Sequence, residues 1–219
     1  HWGTQHMGLY TFATSLKHLG LYQKFGFWPR FLSIQMEKKV EKAGASPVAN
    51  GVSGPIEMSW TKFSDVPAEG REGMLGRCRA LTGKVFEGLD VGVDIRSVAE
   101  QGLGETVLLW TRDELVGLAV CHCGAGTEAG SGICYIKFGA IYPALTGDLE
   151  FRRLLQACED LAAKRGLEKV SGGINTARQE AWAAMLDSGW RGQMAGVAMQ
   201  RPNEPGYNKP GVFLIDDWR

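Results

Sequence analysis

Two stretches of this sequence, residues 7–36 and 168–200, follow one plan: a strand-like run, a polar turn, an amphipathic helical run, a Gly followed by an aromatic, and a second strand. KFGFWPRFLSIQM lies over DSGWRGQMAGVAM with Gly26-Phe27 on Gly189-Trp190. Such a repeat constrains the fold more than composition does, because both copies must bury equivalent faces. The second copy follows a long stretch of patterned chain, whereas the first starts at Met7. The first therefore reads as the closing half of a domain that has lost its upstream half. Some forty residues cannot build a core by themselves. Its strands are expected to pair with another sheet, in cis or from a second protomer. The chain also opens on His1 rather than Met, which reads as a fragment, a processed chain or an incomplete reading frame.

Residues 41–55, EKAGASPVANGVSGP, lose all periodicity and gather Gly, Ala, Ser, Pro and Asn, so a linker is expected there. The domains expected are 1–40, the linker 41–55, and 56–219. The first contains a strand from Met7 to Phe12, a helix from Ser15 to Phe25 and a strand from Phe27 to Met36. In the last, the pattern predicts a strand over 56–63, a helix from Pro67 toward Phe86, a shorter helix over 93–101, and strands at 105–110 and 114–122. GAGTEAGSG at 124–132 leads from one strand into another at 133–142, so it is expected to be a hairpin loop rather than a phosphate cradle, which needs a helix after it. A helix follows with apolar spacing at Phe151, Leu154, Leu155, Cys158 and Leu161. A strand at 168–174, a helix from Thr176 to Asp187, and strands near 191–200 and 211–216 complete the chain. Three prolines make 201–210 a loop.

The 219 residues carry 24 basic and 24 acidic side chains, which excludes a nucleic-acid-binding polymer. Residues 1–50 hold six Lys/Arg against two Glu, leaving 18 basic against 22 acidic in the remainder. No apolar run approaches the roughly 20 residues of a membrane-spanning helix. Five cysteines, an odd number, without a leader-like N-terminus favour a reducing cytoplasm.

The order strand, two helices, three antiparallel strands, helix, strand, helix, two strands resembles the GNAT superfamily of acyl-CoA-dependent N-acetyltransferases, and more narrowly its tandem two-domain members. The fold implied is α/β (α+β), a mixed, mainly antiparallel sheet flanked by helices, plus a half-domain of the same kind. The resemblance implies acetyl-CoA as co-substrate, no metal, and a small-molecule or peptide amine as acceptor. It implies no nucleic-acid or membrane partner, and a homodimer is compatible with it.

In that family one strand splays from its neighbour and pairs its backbone with the pantetheine arm. A glycine-containing loop at the next helix start then takes the pyrophosphate, because backbone N–H groups and the helix dipole favour an anion. CYIKFGAIYP at 134–143 resembles the strand, which places Phe138, Gly139, Ala140 and Ile141 at cofactor-pairing positions. In the loop, Thr146 stands where Arg or Gln is expected, Leu149 at the first glycine and Phe151 at the second; a shift of two recovers Gly147 alone. Asp148 then either sets a carboxylate against the diphosphate or caps the helix. Asn175 matches a cofactor-contacting position and is equally an N-cap candidate. The second domain thus reads as a degenerate copy. The family's general acid, a tyrosine four residues before the Gly-aromatic pair, falls on Met185 in the second copy and on Tyr22 in the first. A tyrosine with an ordinary pKa of about 10 stays protonated at neutral pH and can donate to a thiolate. The implied activity is acetyl transfer to an amine, with this chain impaired; the alternative is a GNAT-shaped structural, dimerisation or ligand-binding module.

Cys121-His122-Cys123 alternate faces on a strand, so three convergent metal ligands are not expected from them, although Cys121 and Cys123 can meet Cys134 across the hairpin. His122, Tyr135 and Glu128 are candidates to lie near an acceptor. Lys17 and His18 read as solvated surface groups, and Tyr207, Phe213 and Trp218 as strand packing.

Overall fold

The computed structural model describes residues 4–41, 58–143 and 147–216. Most of the expected linker, Thr146 and Trp218 lie outside these. The described chain forms strands β1 (Met7–Thr11), β2 (Trp28–Lys39), β3 (Met58–Lys62), β4 (Gly104–Thr111), β5 (Glu114–Cys123), β6 (Ile133–Ile141), β7 (Lys169–Asn175), β8 (Arg191–Arg201) and β9 (Leu214–Asp216). Helices are α1 (Leu16–Lys24), α2 (Arg71–Val85), α3 (Gly92–Gln101), α4 (Asp148–Lys164) and α5 (Gln179–Asp187). All nine strands share one sheet in the order β1-β8-β2-β7-β6-β5-β4-β3, with β9 against β6. Only β6–β7 is parallel. The hairpin expected around 124–132 is present as the antiparallel β5–β6 pair.

Strand alternation sends two sets of side chains to opposite faces. Val107, Leu109, Cys121 and Ile136 meet Phe151, Leu154, Leu155 and Leu161 of α4 on one face. Leu108, Leu118, Val120 and Phe138 meet Leu75, Leu81, Ile95 and Val98 of α2 and α3 on the other. Among the described residues no helix is long and apolar enough to cross a membrane.

The repeat is visible in the hydrogen bonds. Gly26 and Gly189 differ by 163, and that offset carries α1 onto α5 end to end. Both helices stop the same way. Gly26 (φ 82°) and Gly189 (φ 88°) take the left-handed conformation that glycine adopts without a Cβ penalty. Phe27 N–H then donates back to Tyr22 O at 3.1 Å, and Trp190 N–H to Met185 O at 3.0 Å. Tyr22 and Met185 are therefore structural equivalents.

The strands obey the same offset. β1 pairs β8 from Met7↔Arg201 to Thr11↔Val197, and the exchanged pairs Lys38↔Val170 to Ile34↔Ile174 join β2 to β7. Between them β2 pairs β8, and Ser33↔Gly196, residues 163 apart, map onto each other at the centre. The order β1-β8-β2-β7 thus has a local pseudo-two-fold, with the second strand of each repeat inserted into the other repeat. The first copy pairs in cis. At this centre a Cβ on Gly196 would fall 2.3 Å from the Tyr10 ring. Gly196→Ala should destabilise by about 1–3 kcal/mol through overpacking, read as a lower denaturant midpoint with an unchanged slope.

The pseudo-symmetry ends abruptly at the outer edge. β7 is bordered by β6, whereas among the described strands β1 has no outer neighbour. α5 buries Ala184 and Met185 completely, but their α1 equivalents are Leu21, 43% exposed, and half-buried Tyr22. Phe12, Leu16 and Phe25 are also exposed.

Two boundaries differ from expectation for local reasons. α5 starts at Gln179, not Thr176, because Asn175 closes a turn first: Ala177 N–H donates to its Oδ1 at 3.0 Å and Arg178 N–H to its backbone O at 3.0 Å. The last strand is only Leu214–Asp216, since Gly211 (φ 78°) turns the chain just before it.

Candidate functional site

β6 and β7 pair from Ile133↔Lys169 to Ile136↔Gly172 and then diverge. The fork they form is where the resemblance places a pantetheine arm, and β9 lies in it. Phe138↔Asp216, Gly139↔Ile215 and Ala140↔Leu214 pair antiparallel, and Ile141 N–H donates to Phe213 O at 3.3 Å. The other edge of β6 is held by β5 over the same residues. Phe138, Gly139, Ala140 and Ile141 line the fork, and their free edge is taken by Phe213–Asp216. Ile215 reaches the far wall: a Cβ on Gly172 of β7 would sit 3.0 Å from its Cγ2.

The start of α4 is closed as well. Phe213 lies so near Gly147 that a Cβ there would come within 2.5 Å of the ring. The same ring packs on fully buried Phe151, centroids 5.5 Å apart. Gly147, not Asp148, occupies the cap position of α4. Asp148 is the first helical residue, and its carboxylate accepts from Arg152 Nε at 2.9 and 3.0 Å, one turn on. That corrects the N-cap reading of Asp148. Asp148 and Glu150 both stand in the first turn, where a diphosphate would meet like charge. These residues do not fit acetyl-CoA.

What holds β9 in place was not legible in the sequence. Arg178 is fully buried. Its guanidinium donates to Asp216 Oδ1 at 2.7 Å, Asn208 Oδ1 at 3.0 Å and Leu214 O at 2.5 Å. Tyr207 stacks against it, 5.5 Å from ring centroid to Cζ, and donates its hydroxyl to Asp216 Oδ2 at 3.0 Å. A planar guanidinium can satisfy all three acceptors in the geometry a buried cation needs. Arg178 sits at the cap position of α5, where the first repeat has Ser15.

Asn175 is fully buried, and its amide serves the turn before α5, with Nδ2 3.4 Å from Ser33 Oγ. The cap of α5 is Arg178, so the N-cap reading of Asn175 is corrected as well. Tyr22 lies on α1 with its ring stacked on His18 at 6.2 Å. His18 also meets Ser15 Oγ at 2.7 Å.

The hairpin brings His122, Tyr135 and Glu128 together: His122 and Tyr135 are cross-strand partners, and Glu128 Oε2 lies 3.7 Å from His122 Nδ1 and 2.7 Å from Lys137 Nζ. The cysteines meet across the hairpin as expected: Cys123 lies 3.8 Å from Cys134, and Cys121 also hydrogen-bonds to Cys134. Cys121 reaches in addition to Cys158 on α4 at 3.9 Å. Burial raises the thiol pKa of Cys78 to about 12. Cys123 is raised by its bond to Cys134 and by burial. Among the described residues no cluster of His, Cys, Asp or Glu is arranged to hold a metal.

No protein-family model matches the chain, and no curated protein matches it. Its structure is similar to a GCN5-related N-acetyltransferase of Sphaerobacter thermophilus, with a TM-score of 0.60 and 16% identity over 90% of this chain and 59% of that one. It is similar to a GNAT-family acetyltransferase of Colwellia psychrerythraea, with a TM-score of 0.53 and 10% identity over 89% of this chain and 63% of that one. A GCN5-related glucosamine N-acetyltransferase region of a fungal multi-domain β-N-acetylglucosaminidase gives 0.62 at 8% identity, over 86% of this chain and 23% of that one. The fold is that of the GCN5-related N-acetyltransferases. The chain spans about three fifths of the length of the first two of these proteins.

Proposed function

We propose that this chain is part of an N-acetyltransferase of the tandem GNAT kind, transferring acetyl from acetyl-CoA to an amine, in which residues 56–219 are a copy that no longer holds the cofactor. The observation that carries this reading is β9 in the β6–β7 fork, where Leu214–Asp216 take the pairing positions of Phe138–Ala140. Catalytic work then belongs to the copy represented by residues 1–40. Tyr22 is its proton donor, at the site equivalent to Met185 in the full copy. The open outer edge of β1 and the exposed apolar side chains of α1 support a missing upstream half, or a second protomer in a homodimer, as their cover. All five cysteines are free thiols, which fits a cytoplasmic setting.

A second reading is favoured by the same closed fork: a GNAT-shaped module that binds a partner or ligand without turnover. Calorimetric titration of the chain with acetyl-CoA tests the shared premise. No saturable binding is expected up to about 1 mM, a threshold equivalent to about 4 kcal/mol of binding free energy. Micromolar affinity would overturn it and make residues 138–151 a working cofactor site.

A further inference from the structure

A cleft of about 380 Å³ opens between β3, which ends the described sheet on its side, and the last turn of α4. α4 runs from Asp148, beside the fork, to Lys164, so at 1.5 Å per residue the cleft lies about 24 Å away along the helix. Alternation along β3 turns Met58, Trp60 and Lys62 to the α4 face, where Trp60 packs on the cluster that contains Leu161. Trp60 and Leu161 give the cleft an apolar wall, and Lys62, Lys164 and Arg165 stand round it with one carboxylate, Asp65.

The three cations are unequally matched. Lys62 pairs with Asp65 at 3.1 Å, but the two side chains are 42% and 52% exposed, where such a pair is weak. Arg165 uses Nη2 for both Gly104 O at 3.0 Å and Glu105 Oε2 at 3.7 Å, and its Nε and Nη1 have no partner among the described residues. Lys164 Nζ lies 4.3 Å from the centroid of the Trp60 ring and pairs with no carboxylate among the described residues. Counting Glu105 with Asp65 still leaves three cations against two carboxylates. The carbonyls of Leu161, Ala162 and Ala163 already accept from the N–H groups of Arg165, Gly166 and Leu167, so the end of α4 offers an anion little repulsion.

We infer that this cleft binds a small aromatic anion, a flat ring carrying a phosphomonoester. The phosphate, dianionic above its second pKa of about 6, meets Lys62, Lys164 and the spare donors of Arg165. The ring covers the exposed part of Trp60. A metal ion or an ammonium would be repelled by the excess of cations, a neutral ring would leave that excess unmatched, and bare phosphate would leave the Trp60 wall in water. Neither acetyl transfer nor the closing of the fork enters, so the inference stands apart from the enzymatic reading.

The test titrates phenyl phosphate into the chain at neutral pH, following heat and amide shifts. Saturable binding is expected with a Kd below about 1 mM, with shifts at Trp60–Lys62 and at Lys164 and Arg165 but not at Phe138–Ile141. Phenol and inorganic phosphate should each bind about tenfold or more weakly. Lys62→Gln combined with Lys164→Gln should weaken phenyl phosphate about tenfold or more, and Trp60→Leu should bring it to the affinity of inorganic phosphate. If Trp60→Leu fails to fold, the double lysine variant, changed only at partly exposed side chains, reads the site alone. The inference is overturned by an absence of saturable binding below about 10 mM, by phenol or inorganic phosphate binding as tightly, or by shifts confined to the fork. Unchanged affinity in the folded lysine variant would overturn it too.

Discussion

Arg178→Met should cost about 3–5 kcal/mol of stability, because it removes one partner of a buried ion pair and strands the other. Asp216 is 3% exposed and would lose its guanidinium donor while keeping the Tyr207 hydroxyl. Asn208 Oδ1 and Leu214 O would lose their guanidinium donors in the same step. Equilibrium denaturation measures the loss, and hydrogen exchange locates it: amides of β9 and of Phe138–Ile141 should lose protection first. The double change Arg178→Met with Asp216→Leu should recover most of the loss, since an apolar pair of similar volume can replace a buried ion pair. A single variant that loses under about 1 kcal/mol would show that the tail is held by other contacts.

Phe151→Ala should be as severe, at about 3–5 kcal/mol, through a cavity in the most buried part of the α4 face. Phe151 is fully buried and lies in the same cluster as Leu154, Leu155 and Trp190. It is also the seat of Phe213, whose carbonyl accepts the Ile141 N–H. Loss of the ring therefore couples core stability to the closing of the fork. Thermal unfolding should show the loss, and Ile141 should exchange faster than the rest of β6. The resemblance set residue 151 at a glycine position of the cofactor loop; in the structure its side chain packs against Phe213.

Much of the architecture was legible in the sequence because it rests on local periodicity. The helices around Leu16–Lys24, Arg71–Val85 and Asp148–Lys164 and the hairpin at 124–132 come from apolar spacing and turn residues, which short-range physics decides. The repeat was legible too, since Gly26 and Gly189 are demanded by the same left-handed helix stop. Helix caps were misread at Asp148 and Asn175. The residue types suit a cap, but the carboxylate of Asp148 found Arg152, and Asn175 closed a turn.

The candidate site was legible only by resemblance. That β6 splays from β7 followed from it, but nothing in the run Phe213-Leu214-Ile215-Asp216 says that the tail fills the fork rather than lying beside β8. Arg178 carried no signal at all, being one more arginine before a helix. The cleft at Trp60, Lys62, Lys164 and Arg165 joins residues from two distant stretches of chain, so no spacing rule could find it.

By itself, the sequence determined the element types and the duplicated strand-helix-strand unit. Each depends on residues within a turn or two of one another. Only the tertiary structure decided that the two units exchange their second strands, that the tail closes the fork over β6, and that a buried arginine fastens it there. Those outcomes depend on which strand edge and which buried charge find a partner, and both are settled across the whole sheet.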